Sequence, residues 1–315
     1  MAEPLPVRLG GYAPAESTHG QALDRIAAGL RSRLGDRVRV EIDYNILDSG
    51  RPVHALLDDV EAGVTTLCFF SSSYLAERVP ALGIIDLPYL FSSLEHAHAC
   101  LDGELGQVLS ARTREATGFL PLGYWDNGFR HLSNRDRDVR TPEDCRGLRV
   151  RLQPSWVHER LFRALGAEPV QTDLREGIAM LRSGELDAQE NPFANFVTYR
   201  VHEVHPHVTL TGHVYGARGV YASAERLRDW PDDAIEVLRG AVAAAVSQQR
   251  AAAARKEEEL RAWLVEQGTR IIALSAEEQG AFREVAEPVL AEAVRQFDTE
   301  LLAASPHPGP SSSLA

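Results

Sequence analysis

The stretch 128–192 decides the reading of this chain. It opens Gly128-Phe129-Arg130-His131-Leu132-Ser133-Asn134 and runs through Thr141-Pro142-Glu143-Asp144-Cys145-Arg146-Gly147-Leu148-Arg149-Val150-Arg151-Leu152-Gln153. It closes on Gly184-Glu185-Leu186-Asp187-Ala188-Gln189-Glu190-Asn191-Pro192. Apolar and basic residues alternate from Leu148 to Leu152, the period of a strand with one face in a core. Arg151 therefore sits inside a strand, and a polar Gln-Glu-Asn-Pro turn follows it further along the chain. Such an arrangement can place a fixed cation and an amide in one cleft, which suits a small organic acid.

Working outward, Thr141 is an N-cap candidate with proline at N1 and acids in the first turn, so a short helix starts there. A helix is expected over 157–165, stopped by Gly166. Another opens on Asp173-x-x-Glu176 and ends near Gly184. Upstream, Val7-Arg8-Leu9-Gly10-Gly11-Tyr12 alternates and breaks at glycine. Ala22, Leu23, Ile26, Ala27 and Leu30 mark an amphipathic helix, 38–44 alternates as a half-buried strand, and 54–62 reads as helix. The apolar run 64–70 reads as a buried strand ending in Ser71-Ser72-Ser73. Strand and helix in turn mean parallel β/α layers. In such sheets ligands bind beyond the carboxyl ends of strands, which singles out 12–19, 70–74, 125–129, 153–156 and 190–193. A helical stretch over 232–267, interrupted at Gly240, would span about 54 Å, enough to brace two lobes. Ser275-x-x-Glu278 opens a last helix with Val285, Val289, Leu290 and Ala293 on one side.

The chain has 315 residues, of which 44% are hydrophobic, so two packed domains are within reach. A net charge of −12 argues against nucleic acid and anionic membrane surfaces as partners. It leaves an anionic small ligand open, because a local arginine dominates a closed, poorly hydrated cleft. The three cysteines, Cys68, Cys100 and Cys145, are far apart and odd in number, against a disulfide scaffold or a zinc site. No apolar run is long enough to insert directly into a membrane. Met1-Ala2-Glu3-Pro4 lacks the basic and apolar regions of a signal peptide, so the chain either stays in the cytoplasm or begins after a removed signal. The proline- and serine-rich end, 304–315, is expected to be disordered.

Several segments, in order along nearly the whole chain, resemble the solute-binding proteins of tripartite ATP-independent periplasmic (TRAP) transporters, the dicarboxylate-binding-protein-like (DctP) family. They are Ser17-Thr18-His19; Leu82-Gly83-Ile84-Ile85-Asp86-Leu87-Pro88-Tyr89-Leu90-Phe91; Gly128-Phe129-Arg130-x-x-Ser133-Asn134; Thr141-Pro142-Glu143-Asp144-x-x-Gly147-Leu148-Arg149-Val150-Arg151; Gln189-Glu190-Asn191-Pro192; and His207-Val208-Thr209-Leu210-Thr211-Gly212-His213. The resemblance implies an α/β, two-lobed periplasmic-binding-protein-like fold with crossing hinge strands and a long helix across both lobes. Lobe I is expected over 1–126 plus about 213–247, and lobe II over 127–212 plus about 248–303. The resemblance further implies capture of a small carboxylate in the periplasm, delivery to the membrane subunits of a TRAP transporter, no cofactor and a monomeric state. Arg151 matches the arginine that pairs with the ligand carboxylate, and Arg130 and Asn191 match positions that often touch the same ligand. Asn45-Ile46-Leu47-Asp48-Ser49-Gly50-Arg51 departs from the family's usual motif after the second strand, so that wall of the pocket differs.

Other readings compete. Arg151 could lie on a strand edge, and Arg130 could form an inter-lobe ion pair. Asn191, held extended before Pro192, could simply shape a turn. Trp125 and Phe193 flank proposed ligand loops and, with Tyr215, are candidates to line an apolar pocket; Phe69 and Phe129 suit a core better. Glu16 and Ser72 fall in the post-strand segments and complete the candidate ligand-binding set. His202, His205, His207 and His213 invite a metal reading, but their spacing matches no recognised site and no metal is expected. Glu16, Asp126 and Glu190 could supply acid–base chemistry, yet no G-x-S-x-G, Walker loop or G-x-G-x-x-G occurs. The alternatives to a transport receptor are thus a cytoplasmic or signalling-coupled receptor of the same fold and, less well supported, an enzyme acting on organic acids.

Overall fold

Alternation at the N-terminus does place one face inward: Val7 and Leu9 are buried while Arg8 between them is exposed, and Val38 and Val40 are buried on either side of exposed Arg39. The structure is a computed structural model that describes residues 3–306. Its strands are β1 (Leu5–Gly10), β2 (Val38–Asp43), β3 (Leu67–Ser71), β4 (Phe119–Phe129), β5 (His131–Asn134), β6 (Arg149–Leu152), β7 (Glu168–Gln171), β8 (Ala188–Asn191), β9 (His207–Thr209), β10 (Tyr215–Ser223) and β11 (Arg270–Ile272). They form a five-stranded sheet in the order β2-β1-β3-β10-β4 and a six-stranded sheet in the order β11-β9-β5-β8-β6-β7. In the first sheet β1, β2 and β3 are parallel and β10 runs antiparallel to β3 and β4. In the second, β6 is parallel to β7 and β8, and β5 is antiparallel to β8 and β9.

Each sheet is the centre of a lobe with its own core. Leu9, Leu23, Phe69, Trp125 and Val220 belong to the cluster around the first sheet. Leu132, Val150 and Phe162 form one cluster around the second, and Phe193, Phe196, Leu260 and Leu264 another. The chain crosses between sheets where β4 passes into β5 with only Arg130 between them, and returns where β9 leads to β10. A continuous helix, Asp232–Glu266, spans both lobes. Its first half buries Ala234, Leu238, Val242 and Ala245 in the first core, and its last turns bury Leu260 and Leu264 in the second. Gly240 does not interrupt it, because the cost of one glycine, about 1 kcal/mol, is small beside the packing of that face.

Three local expectations differ from what forms. Residues 125–129 lie inside β4 rather than after a strand, since β4 is 11 residues long and pairs with β10 through register shifts that absorb its glycines. Residues 188–191 are themselves a strand, β8, buried throughout despite being mostly polar. At the C-terminus, Ala304 closes a helix, Thr299–Ala304, and residues 307–315 of the expected disordered tail lie outside the described residues. The three cysteines are unpaired. No helix among the described residues is long and apolar enough to cross a membrane.

Two adjacent side chains tie the long helix to β4: Arg250 Nε donates to the Tyr124 carbonyl at 3.1 Å, and Gln249 bonds Asp126. Gln249 is fully buried; its Oε1 accepts from the Asp126 N–H at 2.9 Å and its Nε2 donates to the Asp126 carbonyl at 2.9 Å. β4 is the edge strand of its sheet, and the amide side chain satisfies backbone groups there that no further strand reaches. Replacing Gln249 with leucine strands the buried Asp126 N–H, and the expected loss is about 1–3 kcal/mol in denaturant unfolding. An unchanged midpoint would show that water takes over the role.

Candidate functional site

The loops beyond the carboxyl ends of β1, β3, β6 and β8 converge between the lobes, as the parallel layers require. Arg151, on β6, is only 3% exposed. Its Nε donates to Thr172 Oγ1 at 3.2 Å, and its Nη2 donates to the Thr172 carbonyl at 3.1 Å and the Tyr74 hydroxyl at 3.0 Å. Tyr74 lies on the short helix after β3, so this last bond joins the two lobes. Gly177 leaves the room that the arginine needs: a Cβ there would fall 2.6 Å from Arg151 Nε.

Among the described residues four arginines are buried: Arg130, Arg151, Arg218 and Arg250. Two have carboxylate partners. Arg250 forks onto Asp102 at 2.6 and 2.9 Å, and Arg130 grips Glu190 through Nε and Nη2. Arg151 and Arg218 have no carboxylate in ion-pairing reach among the described residues. Arg218 lies in the middle of β10, 3% exposed, with its guanidinium 4.8 Å from the Tyr12 ring centre and 5.5 Å from that of Phe69. Its Nη2 donates to Asn195 Oδ1 at 3.2 Å, while its Nε and Nη1 are buried without a partner.

Two chains of contacts link these cations. Along one, Tyr74 stacks edge-on with Phe70, Phe70 with Tyr12, and Tyr12 lies under Arg218. Along the other, Asn195 Nδ2 donates to Asn191 Oδ1 at 3.0 Å and Asn191 Nδ2 donates to Gln189 Oε1 at 2.8 Å. Gln189 sits opposite Arg151 in the β6–β8 register, and its Nε2 is buried without a partner. Burial raises the Tyr12 and Tyr74 hydroxyls above their ordinary range, although Arg218 and Arg151 respectively oppose the shift. The side chains that link the two guanidinium groups are therefore phenols and amides, and neither guanidinium has a carboxylate partner among the described residues. Further lobe-to-lobe bonds run from Gln153 Nε2 to Ser73 Oγ at 2.7 Å and from Ser155 Oγ to Asp86 Oδ2 at 2.7 Å.

Arg130 and Asn191 sit beside these contacts in different ways. Asn191 Oδ1 accepts from Arg130 Nη2 at 3.2 Å, so the charge of Arg130 reaches the cleft only through the amide. Burial alone would raise the Glu190 carboxyl, but Arg130, supported by His213, holds it well below the usual carboxylate range. The other expected residues lie elsewhere. Trp125 is fully buried against Phe69, and Phe193 packs with His131 in the second-lobe core. Tyr215 gives its hydroxyl to the Asp126 carboxylate, and Ser72 Oγ donates to the Ala217 carbonyl at 3.2 Å. Glu16 is exposed. Tyr12, Tyr74, Thr172, Gln189, Asn195 and Arg218 were not singled out from the sequence. Tyr12 and Tyr74 fall in flagged loops; the signal for Arg218 is a lone arginine in the strand-like run Ala217-Arg218-Gly219-Val220.

The histidines of 202–213 have separate partners: His205 meets Ser133, His207 meets Asp138, and His213 meets Thr211. No group among the described residues has the arrangement of a metal site. A cavity of about 460 Å³ lies away from Arg151, between β4 and the long helix, lined by Asn127, Phe129, Ala253 and Glu257 among others.

Residues 9–296 match the family described as bacterial extracellular solute-binding protein, family 7 (DctP), and the chain belongs to that family. Among its relatives, a solute-binding protein of Verminephrobacter eiseniae is 36% identical over 64% of this chain and 59% of that one. The C4-dicarboxylate-binding periplasmic protein DctP of Rhodobacter capsulatus is 33% identical over 70% of this chain and 66% of its own length. The chain thus spans somewhat less than two thirds of these relatives. Among solved structures, a TRAP periplasmic solute-binding protein from Sulfurospirillum deleyianum, with bound succinate, superposes with a TM-score of 0.88 at 28% identity, covering 96% of this chain and 98% of that one. One from a Polaromonas species, bound to D-erythronate, gives 0.88 at 26% identity over 95% and 97%. The two-lobed fold is that of these periplasmic binding proteins.

The Arg130–Glu190 pair makes a signed prediction. Arg130→Met leaves a buried carboxylate unpaired and should cost about 3–5 kcal/mol at pH 7. Glu190 has a depressed pKa in the native protein, so its stabilising contribution is present at neutral pH and is lost as pH falls through the carboxylate range. In the variant, protonation relieves the unpaired charge. The stability gap should therefore narrow as pH falls towards about 4, and a gap independent of pH would exclude this account.

Proposed function

We propose that the protein is an extracytoplasmic receptor that captures a small organic acid in the periplasm and delivers it to the membrane subunits of a TRAP-type transporter. The observation that carries this reading is Arg151: a buried, rigidly held guanidinium between the lobes with only neutral partners. An uncompensated buried charge is costly, and a ligand carboxylate is the group that removes the cost by a bidentate, charge-assisted pair. Asn191, Gln189 and Tyr74 surround it with groups that fit the remaining oxygens of such a ligand. The ligand-bound relatives, one with succinate and one with D-erythronate, support the same chemistry. The receptor does no chemistry on its ligand and acts as a monomer. Lobe I comprises 1–126 with about 213–247, lobe II comprises 127–212 with about 248–303, and ligand binding favours the closed arrangement of the two.

Calorimetric titration with succinate, D-erythronate and galactonate tests the reading; one-to-one binding of at least one acid is expected. Arg151→Ala should weaken that binding at least about a hundredfold, ~2.7 kcal/mol, and Arg151→Lys should restore only part of it. Wild-type affinity in Arg151→Ala would remove the carboxylate clamp, and steady consumption of the acid would remove the receptor assignment. Small-angle scattering should show a smaller radius of gyration with ligand than without, and an unchanged radius would count against closure.

A further inference from the structure

We propose that the cavity between the crossing strands and the long helix is a second binding site, one for a small uncharged molecule with an apolar body, and that its occupant favours the closed arrangement of the lobes. The site stands on geometry alone; its coupling to acid capture rests on the receptor reading.

The cavity, of about 460 Å³, is the size of a small-molecule site, about 300–1,000 Å³. Strand alternation puts it across the hinge from the cleft: Phe129 and His131 line it, whereas Arg130 between them turns to Glu190 and Asn191. Phe91 and Leu94 of the first lobe stand on one side, Ala194 and Leu210 of the second on another, and Ala253 and Ala254 of the long helix close it. All of these but Phe91 are only half-buried, so apolar surface faces the cavity. The charged groups around it already have partners. Glu257 accepts from the Phe193 and Ala194 N–H groups at 2.8 and 3.3 Å. Asp126 Oδ1 has His98 Nε2 at 2.7 Å and the Tyr215 hydroxyl, and its Oδ2 is buried. The Arg283 guanidinium lies 4.3 Å from the Tyr89 ring centre, and Lys256 and Glu258 are exposed. Burial pushes the His131 ring down to about 3 and the Glu257 carboxyl up to about 7, in each case towards the neutral form. An ion entering here loses hydration and finds no free counter-charge, whereas an apolar body covers the half-buried surface.

Both crossings, 128–131 and 210–212, line the cavity and so stand between it and the cleft. A rotation that parts the lobes at Arg151 brings Phe91 and Leu94 towards Ala194 and Leu210 and narrows the cavity. In this structure the cleft side is bridged, from Arg151 to Tyr74 and from Gln153 to Ser73, and the cavity is wide. An occupant therefore meets its full surface only in the closed arrangement, and by linkage it tightens the acid by the factor by which the acid tightens it.

The probe is indole, uncharged and mostly apolar, titrated calorimetrically without and with whichever of succinate, D-erythronate and galactonate binds. Tryptamine, the same ring on a cationic chain, controls for charge. Wild type should bind one indole, and should bind tryptamine at least about threefold more weakly. Saturating indole should tighten the acid about fivefold or more. Ala253→Phe sets a ring into the cavity from the long helix; it should weaken indole at least about tenfold and bind the acid, without indole, at least as tightly as wild type. Ala253→Leu serves if the phenylalanine variant fails to fold, and if neither folds, a crystal structure of the wild type grown with indole and the acid decides the location. Absence of saturable indole binding overturns the proposal. So does indole bound as tightly by the Ala253 variants as by wild type, or found outside this cavity, tryptamine bound as tightly as indole, or an acid affinity that indole leaves unchanged or weakens. Each of these outcomes leaves the receptor reading standing so long as an acid binds. If no acid binds, the receptor reading and the coupling fall together, and the indole titration alone decides the site.

Discussion

The architecture turns on the neutralisation of one charge at the crossing between sheets. β4 passes into β5 at Arg130, and a guanidinium at that joint is sealed from water by both lobes. Glu190 on β8 meets it through two side-chain oxygens and its own carbonyl. Without that carboxylate, strands of two sheets could not be joined through a buried cation; with it, the hinge has a fixed centre. His213, on the returning crossing, lies 3.5 Å from the same carboxylate, and burial lowers its pKa so that it stays neutral there. Both crossings therefore share one polar knot, and Gln249 of the long helix pins β4 a few residues away.

The same principle carries the proposed capture of an anion between the lobes. Within the described residues, acids accompany buried arginines at the hinge and at the long helix but not between the lobes. Arg151 and Arg218 are surrounded by phenols, amides and a threonine, which satisfy some of their donors and none of their charge. The net charge of −12 does not reach into this space: at physiological salt exposed charges are screened beyond about 8 Å, while a buried cation acts at short range in a low dielectric. An acidic protein can therefore hold an anion, and the long-range repulsion affects the rate of encounter more than the bound state.

Much of this was legible in the sequence. Alternation and caps located β1, β2 and β6 and the helices after them; the short helix capped at Thr141 and the capping box at Ser275 formed as their residues suggested. The layered rhythm indicated which loops would converge. The illegible parts have physical reasons. β8 is mostly polar yet wholly buried, because its polar side chains bond to one another and to Arg130, and no periodicity reports such pairing. β4 hid its length behind Pro121, Gly123 and Gly128, which a strand tolerates only where shifts in register occur. Trp125 lay next to a flagged loop in sequence, but strand alternation turned it into the first core. Arg218 escaped notice because an arginine in an apolar strand looks like an edge residue until its neighbours on both sides are known.

The proposed closure rests on where the two uncompensated cations are mounted. Arg151 moves with β6 and Arg218 with β10, so separating the lobes moves each away from the other and exposes both to water. In the open arrangement each guanidinium is hydrated and an acid gains little from either. In the closed arrangement water is excluded, the Tyr74 hydroxyl reaches Arg151 and the Asn195 amide reaches Arg218. The closed form without a ligand then carries two unpaired buried charges, which opposes closure; an anion reverses the sign of that term. In the proposed mechanism the ligand's differential affinity for the two arrangements includes the removal of a desolvation cost that the protein imposes on itself, and a neutral solute of the same shape would remove less of that cost.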